Sequence, residues 1–296
     1  QLGLATSYLI GAKTNFGPMS DYQPNAEYFV YECDEFDRNF LAFHPHISII
    51  SGVSWDHHEI FPTQEDYNQA FRQFLDQSLK KVAWQDDINR LSISLDDSYK
   101  VLKEDDKSLG SVKLAGLYNR RDALLVGHAV QEITNEPLDK LLILLSNFPG
   151  VSRRFEAIAK NLYSDYAHTP EKINAALELA KEVTAKSSQK LIIIYEPLTN
   201  RRIHYTKDLH KNLFDGVDAL YWVPSFLARE DPNQPVLSPQ ELLGSLSSDV
   251  KSKAKPALLN SELKSDISGH LANNDLVLCL SGGGTGSLDD WLRKEF

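Results

Sequence analysis

The run from Lys190 to Pro197, KLIIIYEP, admits few folds. It is apolar and β-branched on consecutive residues, then ends in one carboxylate and a proline. A strand with apolar side chains on both faces must be covered on both faces, which is the habit of parallel sheets packed between helices. The chain around it supplies the helices. RRFEAIAK and NLYSDYA read as strands, and PEKINAALELAKEVTAK as a helix with Pro170 in its first turn. HYTKDLHKNLF reads as a helix, VDALYWVP as a strand, SPQELLGSL as a helix and KPALLN as a short strand. SELKSDISGHLA is a helix, DLVLCL a strand and SLDDWLRKEF a closing helix. Strands alternating with helices predict an α/β fold with a doubly wound parallel sheet.

Upstream, Phe148-Pro149-Gly150 breaks the pattern, and the domain boundary is placed there. A chain of 296 residues is longer than one core usually serves, which fits two domains, 1–148 and 149–296. In the first half, EYFVYE reads as a strand ending at Glu32 and HISIISGV as a second strand followed by Asp56, His57, His58 and Glu59. Two neighbouring parallel strands would bring Glu32 and His57 to one sheet edge, outside the carboxyl ends where ligands bind in open α/β sheets. A carboxylate and an imidazole there suit a divalent metal beside a phosphate. A solvated acidic turn with a capping Asp accounts for the same spacing. Thr63 to Leu79 reads as an amphipathic helix, with Thr63 as N-cap, Asp66 three residues on, and Tyr67, Phe71 and Phe74 on its core face. KKVAWQ, SISL, YKVLK and SVKLAG read as short strands, DDINRLS as a short helix or turn, and Arg120 to Thr134 and EPLDKLLILLSNF as helices.

The net charge of −10 argues against a nucleic acid partner while leaving local cationic grips for a nucleotide open. No apolar run approaches the ~20 residues a membrane helix needs. The N-terminus lacks a signal-peptide pattern, and the two cysteines, Cys33 and Cys279, sit in or beside apolar runs as small buried residues do in a reducing cytoplasm.

Polar residues gather where strands of the second half end. Asp165, Tyr166, His168 and Thr169 lie between a strand and the helix opened by Pro170. Helix N-terminal amides favour an anion, to which His168 can donate or pass a proton; a capped loop with a surface histidine fits equally. Arg153 and Arg154 either grip phosphates or decorate a strand. Arg201 and Arg202 follow KLIIIYEP at a carboxyl edge. Ser281-Gly282-Gly283-Gly284-Thr285-Gly286 joins a strand to a helix, as an anion cradle or, more simply, a tight turn.

These segments carry a resemblance. ECDEFDRNFL followed by VSWDHHEIF resembles the central-domain signature of the Mur ligases, ATP-dependent amide-forming enzymes of peptidoglycan synthesis. GLYNRRDA resembles the family's G-x-H-N-x-x-N-A segment. FPGVSRRFE resembles the F-x-G-x-x-R-R-F opening of its third domain, and SDYAHTPEKI its D-Y-x-H-x-P segment. The motifs come in family order over nearly the whole chain. The resemblance implies a partial P-loop-like ATPase central domain followed by a Rossmann-like C-terminal domain that brings the amino acid.

It also implies roles. ATP phosphorylates the lactyl carboxylate of UDP-N-acetylmuramate, the amine of an amino acid attacks the acyl phosphate, and phosphate leaves. L-alanine is the first candidate amino acid; a branch that attaches a recycled tripeptide to the same sugar nucleotide stays open. By motif position Glu32 and His57 ligate Mg2+, Asn119 and Asp122 face adenine, Arg154 reaches the ATP phosphates and Asp165 the ribose. His168 meets the transferred phosphate or the incoming amine, and Arg202 the amino acid carboxylate. The chain departs from the family at Tyr118 and Asp122, where the pattern has His and Asn, and at Leu198 and Thr199, where it has His and Arg. It has no G-x-x-G-K-[ST] segment and no sugar-nucleotide-binding first domain. It therefore reads as a truncated ligase, expected to be inert alone, or as a non-catalytic nucleotide-binding module derived from one. Asp56-His57-His58 also resembles the DHH phosphoesterases, without their further aspartate motifs.

Overall fold

The computed structural model describes residues 1–14, 16–57 and 59–296. The chain divides into two compact units, Gln1–Pro149 and Gly150–Phe296.

The first unit holds two small sheets. β1 (Thr6–Leu9) lies between β2 (Ser20–Asp21), antiparallel to it, and β3 (Tyr28–Tyr31), parallel to it. β4 (Ile47–Ile49), β5 (Lys80–Trp84) and β6 (Tyr99–Leu102) form a parallel sheet in that order. The helices are α1 (Gln64–Asp76), α2 (Gln85–Leu91), α3 (Leu117–Thr134) and α4 (Leu138–Leu145). β5 shows why this sheet is covered on both sides. Side chains alternate along a strand, so Ala83 joins the core under α1 and α2, whereas Val82 and Trp84 join the core under α3 and α4. α1 starts as its sequence requires: the Thr63 hydroxyl accepts the Asp66 N–H, and the Asp66 carboxylate accepts the Thr63 N–H. Its Tyr67, Phe71 and Phe74 are buried against Phe40 and Phe61, with ring centroids 4.9–5.2 Å apart.

Three expectations fail in this unit. β3 and β4 are not neighbours, because β3 pairs with β1 and β4 with β5, so Glu32 and His57 do not leave one sheet edge. SISL begins at Ser92, the left-handed C-cap of α2, and forms no strand. SVKLAG begins in a 3-10 turn and continues as coil, burying Val112 without a strand to pair with.

The second unit comprises β7 (Glu156–Ala159), β8 (Leu162–Asp165), α5 (Pro170–Ser187), β9 (Leu191–Glu196), α6 (Asn200–Thr206), β10 (Ala219–Trp222), α7 (Pro239–Leu243), α8 (Ser248–Ser252), β11 (Ala254–Pro256), α9 (Ser261–Ala272), β12 (Leu276–Ser281) and α10 (Leu288–Glu295). They build a six-stranded sheet in the order β11-β10-β9-β12-β8-β7. Every pair is parallel except β7 with β8, an antiparallel hairpin at one edge. Leu191, Ile193 and Tyr195 of β9 face a core shared with α5, α6 and α7; Ile192 and Ile194 face the other, shared with α9 and α10. The expected helix over HYTKDLHKNLF is displaced: α6 begins earlier, at Asn200, and gives way to a 3-10 turn at Lys207–His210.

From β8 the chain passes to β9 and steps outward to β10 and β11. It then returns through α9 to insert β12 between β8 and β9. The direction of winding reverses there, which puts the loops after β8, β9 and β12 at the switch point on the carboxyl edge, where ligands bind in open α/β sheets.

Candidate functional site

Asp165 closes β8 and holds the turn that follows. Its Oδ1 accepts the Ala167 N–H and its Oδ2 accepts the Phe155 N–H, both at 2.8 Å. Burial pushes its carboxyl above the usual Asp range, against the pull of those two N–H donors and of Arg154 and Arg153. His168 is buried, and its Nδ1 lies 2.8 Å from the Tyr166 carbonyl, which fixes the ring at the start of the turn. The arginine pair splits. Arg153 turns into the fold, donating from Nη2 to the Ser281 carbonyl at 2.6 Å and lying 3.4 Å from Asp289. Both guanidiniums flank the Tyr166 ring, Arg153 at 4.5 Å and Arg154 at 5.2 Å from its centroid.

The glycine run meets this turn from β12. A Cβ on Gly282 would come within 2.8 Å of Leu198 and 3.1 Å of His168, and one on Gly283 within 2.6 Å of Phe226 and Ser287. The two glycines therefore allow the loops after β8, β9 and β12 to touch. What sets their need is packing between loops: neither has a positive φ, which in this run belongs to Gly286, at 83°. Arg202 sits in the first turn of α6, whose N-cap Thr199 accepts the Arg202 N–H at 3.2 Å. Asp165, His168 and the glycine loop thus come together at one edge of the sheet, and Arg202 opens the helix that follows the adjacent strand.

In the first unit, Glu32 follows β3 and accepts the Gly11 N–H at 2.6 Å. His57 has a left-handed backbone, φ 52°, with its N–H bonded to Asp56 Oδ1 at 2.8 Å. Its Nε2 is 3.9 Å from Glu35 Oε1, which also accepts from the Tyr67 hydroxyl at 3.0 Å, and its ring packs edge-on against Phe36. His58 lies outside the described residues. Among the described residues no three His, Cys, Asp or Glu side chains cluster to cage a metal. Mg2+ favours oxygen donors and is commonly shared between one or two carboxylates and substrate phosphates, which fits the Glu32 carboxylate and makes the His57 nitrogen the softer of the two donors. Asn119 and Asp122 are exposed on the first turns of α3, and the Asn119 amide donates back to the Ala115 carbonyl at 2.8 Å.

No family model matches the chain. Individual relatives do. UDP-N-acetylmuramate–L-alanine ligase of Pediococcus pentosaceus is 30% identical over 310 residues, covering 94% of this chain and 67% of that protein. The same-named ligase of Lactobacillus acidophilus is 30% identical over 267 residues, covering 79% and 58%. The chain belongs to the UDP-N-acetylmuramate–L-alanine ligase family. It spans about three-fifths to two-thirds of the length of these curated relatives. The fold agrees: the crystal structure of the Thermotoga maritima UDP-N-acetylmuramate–alanine ligase superposes with a TM-score of 0.73 at 22% identity, covering 98% of this chain and 68% of that one.

Two features of this family member carried no motif. Glu196, at the end of β9, is 3% exposed; its Oε2 accepts the Ser281 hydroxyl at 2.6 Å and its Oε1 the Leu288 N–H at 2.9 Å. It anchors both ends of the glycine loop. The signal was present as a lone acid ending a wholly apolar strand. Arg121, between Asn119 and Asp122, is buried and lies 4.3 Å over the Trp84 ring. It donates to Asp86 at 2.8 Å and Glu104 at 2.9 Å. No local pattern marks those partners, which come from α2 and the segment after β6.

Proposed function

We propose that this chain is part of a ligase, and inert alone, that forms an amide bond between UDP-N-acetylmuramate and an amino acid, L-alanine first, with ATP as the phosphoryl donor, in the cytoplasm. Residues 1–148 serve as the central ATP-binding domain and 149–296 as the domain that brings the amino acid. The observation that carries the reading is the meeting of Asp165, His168 and the glycine loop at the carboxyl edge of the switch between β9, β12 and β8. The family relation adds the substrates.

The γ-phosphoryl group moves to an oxygen of the lactyl carboxylate, the amine nitrogen bonds to the acyl carbon, and phosphate departs as the amine sheds a proton. Little of this needs a protein nucleophile; it needs alignment and neutralised charge. Arg154 serves the ATP phosphates and Asp165 the ribose. His168, its ring held by the Nδ1 contact with the Tyr166 carbonyl, serves the transferred phosphate or the amine. Asn119 and Asp122 serve adenine, and Arg202 the amino acid carboxylate. Glu32 and His57 hold Mg2+, which when bound neutralises charge on the phosphates.

The test is phosphate release by the full-length gene product. Release should require ATP, UDP-N-acetylmuramate and L-alanine together. Glu32→Ala and His57→Ala should each lower it by roughly tenfold or more at saturating Mg2+, with the fold retained. Turnover at the parent rate in both variants rejects the metal assignment; release indifferent to the sugar nucleotide rejects the function.

A further inference from the structure

The loop that carries His57 is held from behind by one short helix. After β4 the last ladder bond is the Ile50 N–H to the Val82 carbonyl. The chain then runs free of the sheet to His57. Within that run, Val53 is 1% exposed and both of its backbone groups are taken by α2. Its N–H donates to Asp87 Oδ1 at 2.9 Å, and its carbonyl accepts from Arg90 Nη1. Asp87 is 4% exposed, and its Oδ2 has no hydrogen-bond partner. Burying a carboxylate with an idle oxygen costs stability, so the bond it makes has to be worth more than a neutral contact. The neighbouring Asp86 faces the other way and takes Arg121 of α3. The same helix therefore ties the His57 loop to the helix that bears Asn119 and Asp122.

His57 lies four residues on from Val53, a reach of at most about 14 Å. Over that distance the chain must place His57 in a left-handed conformation with its ring between Glu35 and Phe36. A non-glycine residue holds such a conformation only where its surroundings over-determine it. The Val53 clamp is the anchor on the N-terminal side, and the Ile60 and Phe61 N–H groups, both bonded to the His57 carbonyl, are the anchor on the other.

We propose that Asp87 and Arg90 are positioning residues for His57, acting through the Val53 backbone. The inference rests on assigning His57 to the site, and the activity of His57→Ala decides that assignment separately. The positioning itself is read in the 296-residue chain without metal or nucleotide. The measurements are the exchange rate of the Val53 amide hydrogen and the NMR shifts of the His57 ring, which report its contact with Phe36. Asp87→Ala should speed Val53 exchange by about tenfold or more and move the His57 ring signals, with amides of α5 unchanged. Asp87→Asn keeps an oxygen for the Val53 N–H and should leave both within about threefold and near the parent shifts. Arg90→Met, at an exposed side chain, keeps the fold if Asp87→Ala does not, and should move the His57 ring the same way. An unmoved His57 ring in Asp87→Ala and Arg90→Met overturns the proposal. So does an Asp87→Asn variant that displaces the ring as far as Asp87→Ala, since the hydrogen bond would not then be the cause.

Discussion

At Gly283 one methyl group is enough to part the loops that meet at the carboxyl edge. Its Cβ would sit 2.6 Å from Phe226 and Ser287, whereas nothing lies within 4 Å of a Cβ on Gly284. Gly283→Ala should destabilise the second unit by about 1–3 kcal/mol, as overpacking does, and Gly284→Ala should stay within about 0.5 kcal/mol of the parent. Chemical denaturation of the two variants checks this; equal losses would mean that the run is held by turn geometry and not by packing. Composition alone shows a glycine run but not which glycine is crowded, because the crowding atoms come from Leu198 and Phe226, far away in sequence. The arginine pair teaches the same lesson. Arg153 and Arg154 are equivalent on paper, and only the approach of Ser281 and Asp289 assigns Arg153 to the fold. His168 and Asp165 were legible because their neighbours, a strand end and a helix-opening proline, are local.

Elements with local grammar were readable and elements defined by a partner were not. α1 announces itself through Thr63, Asp66 and an aromatic stripe, and each does what its position requires. Thr63→Ala removes the hydroxyl that accepts the Asp66 N–H and should cost about 1 kcal/mol, with faster exchange confined to the first turn of α1. Uniformly faster exchange along α1 would show that the cap sets the helix and not only its end. SISL and SVKLAG have strand-like composition, yet neither adds a strand to the β4-β5-β6 sheet. SISL begins in the left-handed cap of α2, and SVKLAG begins in a 3-10 turn and buries Val112 as coil. The pairing of β3 with β4 failed for a related reason: alternation says that two strands exist, but the registry Thr6 with Tyr28 belongs to a third strand, β1, which alternation within EYFVYE and HISIISGV cannot name.

On the scale of the whole molecule, buried carboxyls at the carboxyl edge of the second unit tie its stability to pH between acid and neutral. Glu196 and Asp165 both end strands at the carboxyl edge, and burial raises both carboxyls above their usual range. For Glu196 the opposing pulls are the Ser281 hydroxyl, the Leu288 N–H and Arg153, while Asp289 adds to the rise. A raised carboxyl means that the folded state keeps a proton the unfolded chain has already released. Stability from this group is therefore greatest below the ordinary glutamate value and declines as pH climbs through the higher value of the folded state. Glu196→Gln removes that decline. Its amide oxygen can accept the Leu288 N–H while its NH2 donates to the Ser281 oxygen, so the loop keeps both anchors. The melting temperature of Glu196→Gln minus that of the parent should thus grow steadily from acid to neutral pH. A difference that is flat or shrinks over that range would mean that Arg153 and the two donors hold the carboxylate ionised at no cost. The glycine loop would then be fastened by a charge the fold welcomes.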